Sequence, residues 1–226
     1  MSNLCIIPAR GGSKRIPHKN VKPFLGKPIV AYSIENALAS ELFDEVMVST
    51  DDPEIVETAL QYGASVPFLR SEKTANDFAT LADVIREVVN EYAQRGRQFD
   101  HVCCLLATAP LVTADLLREA YAKLQSLDEC STVYPVVQFS YPVQRCLEMD
   151  AEGYVSMKWK EYATARSQDL QPLYHDSGTF YFHKTTPWME GRIKRSAIVM
   201  DELHVQDIDT DVDWQLAEMK YRLIHA

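Results

Sequence analysis

The feature that most constrains the fold is a regular alternation of strand-like and helix-like segments over the first 137 residues. Short apolar runs predict strands, and longer segments with apolar residues three or four positions apart predict helices. The predicted strands cover residues 3–9, 45–50, 65–69, 101–107 and 132–137. The predicted helices cover residues 29–39, 53–62, 80–93 and 113–127. Strands alternating with helices in this way predict an α/β fold with a mostly parallel sheet and helices on both faces.

The alternation stops after residue 138. Residues 139–173 mix prolines, aromatic residues and charges without a clear period, which indicates an inserted arm. The arm contains four aromatic residues that nothing in the same chain obviously covers, namely Tyr141, Tyr154, Trp159 and Tyr162. We expect a single domain, residues 1–226. Because interface cores are enriched in aromatic residues, we also expect this domain to form a homodimer through the arm. After the arm, the pattern predicts a strand at 178–183 and a helix at 211–224.

The distribution of charge points to a small anionic ligand. The 226 residues carry a formal net charge of −9, which argues against a nucleic-acid partner because binding to a phosphate backbone needs a positive field. The first 34 residues nevertheless contain six basic and no acidic residues, so the rest of the chain carries −15. A concentrated positive region in an acidic protein favours a small anion.

Nothing in the sequence predicts a membrane partner. The longest run without Lys, Arg, Asp or Glu covers residues 130–144 and includes two prolines. It falls short of the ~20 apolar residues that span a bilayer. The first residues also lack the order of a signal peptide, since an apolar stretch precedes the basic one. Five cysteines without paired C-x-x-C spacing predict buried thiols, so we expect a cytoplasmic protein.

A basic loop containing glycines follows the first predicted strand and reads RGGSKRIPHKN over residues 10–20. Open α/β folds bind ligands at the carboxyl ends of their strands, so this position favours a ligand site. Small residues let backbone N–H groups approach an oxyanion, and cations neutralise a polyphosphate. The small residues of the loop are Gly11, Gly12 and Ser13, and the candidate cations are Arg10, Lys14 and Lys19. The loop matches neither the Walker A nor the dinucleotide-binding pattern, and the alternative is a solvated basic turn.

An acidic segment, QDIDTDVD, covers residues 206–213. In an extended segment, alternation about Ile208 places Asp207 and Asp209 on one face, where their carboxylates suit a hard divalent cation. Asp211 and Asp213 are better explained as capping residues of the last helix. The alternative for Asp207 and Asp209 is a loop of solvated carboxylates. Together, the basic loop and the acidic pair suggest chemistry on a nucleotide with Mg²⁺.

These motifs resemble those of the CMP-sugar synthetases that activate nonulosonic acids. The resemblance rests on IPARGGSK at residues 7–14 with Lys19 and Asn20, STDD at 49–52 and DIDT at 207–210, and it extends over nearly the whole chain. It implies a Rossmann-like nucleotide-diphospho-sugar transferase fold, a dimerisation arm and dependence on Mg²⁺. The implied reaction joins CTP to a 2-keto sugar acid and releases pyrophosphate.

Two further segments resemble the branch of this family that activates pseudaminic acid. They are ATAP at residues 107–110 and HDSGT at residues 175–179. Leu106 replaces a glutamine of the family, and no Asp ends the fourth predicted strand, so metal binding depends on Asp207 and Asp209. The nearest alternatives are enzymes for N-acetylneuraminic, legionaminic or 3-deoxy-octulosonic acid. Alternatives without catalysis are an inactive nucleotide-binding regulator and an oligomerising scaffold.

The resemblance also implies roles for individual residues. The expected CTP-binding residues are Ala9, Arg10, Gly11, Gly12, Ser13, Lys14, Lys19, Asn20 and Thr108. The expected sugar-binding residues are Arg70, Thr80, Arg166, Asp176 and Ser177. Arg10, Lys14, Lys19 and Asp209 are expected to be catalytic, by stabilising charge as the sugar hydroxyl attacks the α-phosphorus of CTP. A metal-bound hydroxide or one of Asp207 and Asp209 would accept the proton of that hydroxyl.

Overall fold

The structure is a computed structural model that describes residues 1–225. Its strands are β1 (Asn3–Pro8), β2 (Pro23–Phe24), β3 (Lys27–Pro28), β4 (Glu45–Ser49), β5 (His101–Leu105), β6 (Thr132–Gln138), β7 (Leu147–Met149), β8 (Val155–Met157), β9 (Tyr174–Asp176), β10 (Phe180–Lys184) and β11 (Arg195–Val199). Its helices are α1 (Ile29–Ala39), α2 (Pro53–Gln61), α3 (Glu72–Ala75), α4 (Leu81–Gln94), α5 (Ala114–Ser126), α6 (Thr185–Met189) and α7 (Asp211–Ile224). None of the helices in this part of the chain is long and apolar enough to cross a bilayer.

The central sheet has the strand order β11-β6-β10-β5-β1-β4, and β9 pairs with β6 outside this path. Strands β4, β1, β5, β6 and β11 run in one direction. Strands β9 and β10 run in the opposite direction. The predicted mostly parallel sheet is therefore confirmed, with β10 inserted antiparallel between two parallel strands.

Both faces of the sheet are buried under helices, as continuous apolar strands require. Successive residues of β1 enter different cores: Cys5 packs on the side of α1 and α5, and Ile6 packs on the side of α4. Cys103 and Cys104 of β5 divide between the same two cores, which confirms that these thiols are core side chains. The prediction of a buried thiol was wrong for Cys146, which lies half-buried in the arm.

One local prediction was wrong, and one edge strand was not predicted. Residues 65–69 form no strand: Ser65 makes a single bridge to Met47 of β4, and Pro67 then interrupts the pairing because it has no N–H to donate. The sequence pattern also missed β11, which pairs in parallel with β6 at the edge of the sheet.

The predicted arm, residues 139–173, contains no buried residue. Its regular structure is the hairpin of β7 and β8, which is separate from the central sheet, and three short 3-10 turns. Tyr141 and Tyr154 are 86% and 76% exposed. The arm has no core of its own within this chain, and its role in a dimer remains a prediction.

Candidate active site

A cavity of about 530 Å³ opens at the carboxyl ends of β1 and β5. Its walls come from the basic loop after β1, the connection between α3 and α4, the first turn of α4 and the residues that follow β5. The lining residues are Pro8, Arg10, Ser13, Lys14, Arg15, Lys19, Asn20, Arg70, Thr74, Asn76, Asp77, Ala79, Thr80, Leu81, Val84, Leu106, Ala107 and Thr108. Eight of the residues predicted for CTP or sugar binding thus line one cavity.

One hydrogen bond joins the start of the basic loop to the sheet, and a second joins the end of the loop to its start. The backbone N–H of Ala9 donates to the carbonyl oxygen of Ser49 at 3.0 Å. The side-chain amide of Asn20 is buried and donates to the carbonyl oxygen of Arg10 at 2.9 Å. Asn20 therefore closes the loop on itself and holds the Arg10 backbone in place.

The two glycines of the loop have different surroundings. A Cβ on Gly11 would lie 2.4 Å from Asp52 Oδ2, so any other residue here would displace the Asp52 side chain. The N–H of Gly11 already donates to Asp51 Oδ1 at 3.1 Å, and a Cβ on Gly12 would meet no atom within 4 Å. Ala9, Gly11 and Gly12 belong to the loop but do not line the cavity, and their predicted contact with CTP remains a prediction.

Arg70 supplies a buried positive charge to the cavity. Its guanidinium donates to Ser49 Oγ at 3.1 Å and to the Ser49 carbonyl oxygen at 2.9 Å. Burial lowers the pKa of Arg70, although the Asp51 carboxylate opposes this shift. Because arginine stays protonated even with a lowered pKa, Arg70 provides a fixed cation at the base of the site.

Lys19 connects the basic loop to the acidic segment. Its ammonium donates to the carbonyl oxygen of Ile208 at 2.7 Å and lies 3.8 Å from Asp209 Oδ1. Burial lowers the pKa of Lys19, while the Asp209 and Asp207 carboxylates act in the opposite direction. Lys19 therefore lies between the cavity, which it lines, and both predicted metal ligands.

A small aromatic core holds the two functional segments against each other. We call it the mini-core, and its buried residues are Ile16, Phe24, Ile29, Tyr32, Ile208, Trp214 and Ala217. Ile16 comes from the basic loop and Ile208 from the acidic segment, so both segments are anchored in one cluster. The ring of Phe24 contacts the rings of Tyr32 and Trp214 edge to face, at 5.2 and 5.6 Å between centroids.

The predicted metal ligands flank the buried Ile208. The carboxylate of Asp209 accepts a hydrogen bond from Arg15 Nη1 at 2.6 Å. The backbone N–H of Asp209 donates to Asp213 Oδ2 at 3.1 Å. Within residues 1–225, no group of three or more His, Cys, Asp or Glu side chains is arranged to hold a metal ion. Mg²⁺ usually takes one or two carboxylates together with substrate phosphates and waters, so a pair of aspartates fits it.

Asp213 has the capping role expected from the sequence, whereas Asp211 lies in the first turn of α7 and does not cap it. Thr210 and Asp213 form a capping box at the start of α7, and Asp211 pairs with Lys22 at 3.0 Å. Thr80 has an equivalent role at the start of α4, where it forms a capping box with Asp83. Thr80 therefore lines the cavity, but its hydroxyl already makes hydrogen bonds in the N-terminal cap of α4.

Asp176 and Ser177 lie outside the main cavity. Asp176 lines a second cavity of about 280 Å³, which shares Leu81 with the first and is therefore adjacent to it. Its carboxylate accepts from the Tyr181 hydroxyl at 3.1 Å and from the Gly178 N–H at 2.8 Å. Ser177 is buried, with its Oγ 2.8 Å from Thr179 Oγ1.

Arg166 is a predicted sugar-binding residue that the single chain brings to neither cavity. It lies in the arm, 77% exposed, and its Nε is 3.4 Å from Asp169 Oδ2. A role for Arg166 in sugar binding therefore requires that the arm reach another molecule.

Asp77 was not predicted as a site residue. It lies on the connection between α3 and α4 and contacts Arg10 and Lys14. No local pattern marks this residue, because its place in the site depends on how two helices pack.

Comparison with known proteins identifies the fold and the family. A family model described as cytidylyltransferase matches residues 4–211. The chain is 44% identical to a pseudaminic acid cytidylyltransferase from Campylobacter jejuni subsp. jejuni serotype O:2, over 100% of this chain and 98% of that protein. It is 33% identical to a CMP-N,N'-diacetyllegionaminic acid synthase from Legionella pneumophila, over 96% and 95% of the two chains.

A solved structure shows the same fold at low identity. The structure of a CMP:2-keto-3-deoxy-manno-octonic acid synthetase complexed with CTP superposes with a TM-score of 0.68 and 17% identity, over 100% of this chain and 99% of that one. This likeness confirms the predicted Rossmann-like fold. With the family match over most of its length, the chain belongs to the cytidylyltransferase family and is a nucleotidyltransferase.

Proposed function

We propose that this protein transfers CMP from CTP to pseudaminic acid and releases pyrophosphate. The observation that carries the proposal is a cavity lined by five cations in a chain that is 44% identical, end to end, to a pseudaminic acid cytidylyltransferase. The size and charge of the cavity suit a nucleoside triphosphate. Five free cysteines fit action in the reducing cytoplasm.

The residues of the cavity support an in-line displacement. The anomeric hydroxyl of the sugar acid attacks the α-phosphorus of CTP, and negative charge grows on the leaving phosphate oxygens. Arg10, Lys14 and Lys19 face this charge from the loop, and Arg70 faces it from the base of the cavity. A single preorganised contact of this kind typically contributes about 3 kcal/mol to catalysis.

Asp207 and Asp209 would hold Mg²⁺, which supplies positive charge to the phosphate oxygens when bound. Lys19 and Arg15 keep the Asp209 carboxylate next to the basic loop. Asp176 would offer its carboxylate to the sugar in the second cavity, next to the nucleotide.

A panel of sugar acids tests the proposed substrate. With CTP and Mg²⁺, pyrophosphate release is measured for pseudaminic, N,N'-diacetyllegionaminic, N-acetylneuraminic and 3-deoxy-octulosonic acids. We expect kcat/KM for pseudaminic acid to exceed that of each other acid by about tenfold or more, since one mispaired polar group costs about 1–3 kcal/mol. The nearly inactive Lys19→Ala variant gives the background rate of pyrophosphate release for each acid. A preference for the legionaminic acid would contradict the proposed substrate and support the second candidate, which the 33% identical relative favours.

The arm supports a homodimer as the active form. Residues 139–173 contain no buried residue, so in the single chain this segment lacks the core that normally stabilises 35 ordered residues. Dimers of identical chains with two-fold symmetry are the commonest soluble assemblies. In such a dimer, Arg166 would reach the sugar site of the partner.

Hybrid dimers test this shared site. Arg166→Ala and Lys19→Ala proteins are each expected to be nearly inactive, and mixing them after mild dissociation leaves one intact site in each hybrid. Random exchange makes half of the dimers hybrid, so about a quarter of wild-type activity should return. A dimer without recovered activity would contradict the shared site, and a monomer in sedimentation equilibrium would contradict the dimer.

A further inference from the structure

A carboxylate of the chain itself pairs with two of the five cations that line the candidate nucleotide site. Arg10 Nη1 donates to Asp77 Oδ1 at 2.6 Å, and Lys14 Nζ donates to Asp77 Oδ2. All three residues line the main cavity. Asp77 therefore accepts from both basic side chains in the way that an oxyanion of a ligand would.

The carboxylate is held in its charged form. The hydrogen bonds from Lys14 and from Arg10 keep the pKa of Asp77 below its usual range. The side chains of Asp77 and Arg10 are 40% and 35% exposed, so a ligand entering from solvent has access to this pair.

Asp77 is presented by a short connection with anchored ends. Before it, Glu87 of α4 accepts hydrogen bonds from Ser71 and Thr74, which fixes the segment around α3. After it, the capping box of Thr80 fixes the start of α4. Between these anchors, Asn76 Oδ1 accepts from the N–H groups of Phe78 and Ala79 at 2.8 and 3.1 Å, which folds the chain into a turn around Asp77.

We propose that Asp77 is an internal competitor for the pyrophosphate end of the nucleotide. A phosphate group that binds Arg10 and Lys14 must first replace Asp77, and Asp77 returns to both cations when pyrophosphate leaves. The proposal rests on the proposed function, because it assumes that the cavity binds a triphosphate.

This competition affects ligands differently according to their length. CTP and pyrophosphate carry phosphates that extend to Arg10 and Lys14, so both must displace Asp77. CMP retains only the α-phosphate and is expected to leave the pair with Asp77 intact. Asp77 would weaken the ground-state binding of the β- and γ-phosphates, which leave as pyrophosphate, and would thereby speed product release. Contacts made only in the transition state would keep their strength.

Asp77→Asn tests the proposal by calorimetry. This change keeps the shape of the side chain and removes its charge. We expect the affinity for inorganic pyrophosphate, titrated in EDTA without divalent metal, to increase about fivefold, as loss of two partly exposed ion pairs implies. Affinity for CTP should increase similarly, affinity for CMP should not change, and pyrophosphate should become a stronger product inhibitor.

Glu72→Gln is the matched control. It removes one negative charge from the same segment, and no ion pair of Glu72 exists in the part of the chain that the structure describes. We expect its affinity for pyrophosphate to equal that of the wild type. An equal increase in pyrophosphate affinity in both variants would mean that the effect comes from net charge alone, and it would overturn the proposal.

Other outcomes are equally decisive. Unchanged or weaker binding of pyrophosphate to Asp77→Asn would overturn the competitor role. Loss of turnover with unchanged binding in EDTA would instead place Asp77 among the metal ligands and also overturn it. If wild-type protein binds neither CTP nor pyrophosphate, the proposed function itself fails, and this result is separate from the comparison between variants.

Discussion

Asp209→Asn is expected to lower the turnover of CTP by about a hundredfold or more while the melting temperature stays close to that of the wild type. The carboxamide keeps the shape of the side chain but loses the anionic oxygen that a hard cation prefers. It also removes the charge that faces Arg15 and Lys19. Pyrophosphate release over a range of Mg²⁺ concentrations gives the measurement, and thermal unfolding shows whether the fold is intact.

Asp211→Asn provides the matched control for this change. Asp211 lies two residues further along and pairs with Lys22 at the start of α7, away from the cavity lining. We expect its turnover to remain within about twofold of the wild type, because surface ion pairs contribute little. Turnover of Asp209→Asn near the wild-type value would place the metal site elsewhere.

Phe24→Ala is expected to lower the free energy of unfolding by about 3–5 kcal/mol, the usual cost of deleting a fully buried phenyl ring. Phe24 is 0% exposed and is surrounded by the rings of Tyr32, Trp214 and Tyr221. Equilibrium unfolding in urea gives the measurement. We also expect weaker CTP binding, because the mini-core fixes both the basic loop and the acidic segment.

The same substitution at an exposed phenylalanine serves as the control. Phe78 is 93% exposed, so Phe78→Ala should change the free energy of unfolding by less than about 0.5 kcal/mol. If Phe24→Ala lowers the free energy of unfolding by less than about 1 kcal/mol, either the mini-core repacks to fill the void left by the ring or it contributes little to stability.

The parts of the fold that follow from local patterns were predictable. Helix α1 occupies the predicted residues, and α4 lies within about a residue of its prediction, because their apolar faces repeat with the helical period. The antiparallel direction of β10 and the edge strand β11 depend on pairing with distant strands, which a single sequence does not display. Pro67 prevented a predicted strand for a reason visible in the sequence.

In the candidate site, too, the features carried by local patterns were predictable and those carried by long-range contacts were not. The basic loop was identified because its glycines and cations are contiguous, and its place after β1 follows from the order of elements. The contact of Lys19 with the Ile208 carbonyl joins residues far apart in the chain, and the pairing of Asp77 with Lys14 depends on helix packing. Arg166 illustrates a further limit of local patterns, since the single chain does not bring it to the site for which it was predicted.

The mini-core also sets the order in which the site is completed during synthesis. Ile16 is made early and Ile208 late, yet the two share one cluster with α7. A growing chain tends to fold from its N-terminal part, so the basic loop exists long before its acidic counterpart. Until α7 docks, Phe24 and Tyr32 have no indole to cover them, and the nascent chain carries exposed aromatic surface beside its cations. Because the acidic segment and α7 share this cluster with the basic loop, we expect the site within one chain to be completed late, together with the burial of that surface.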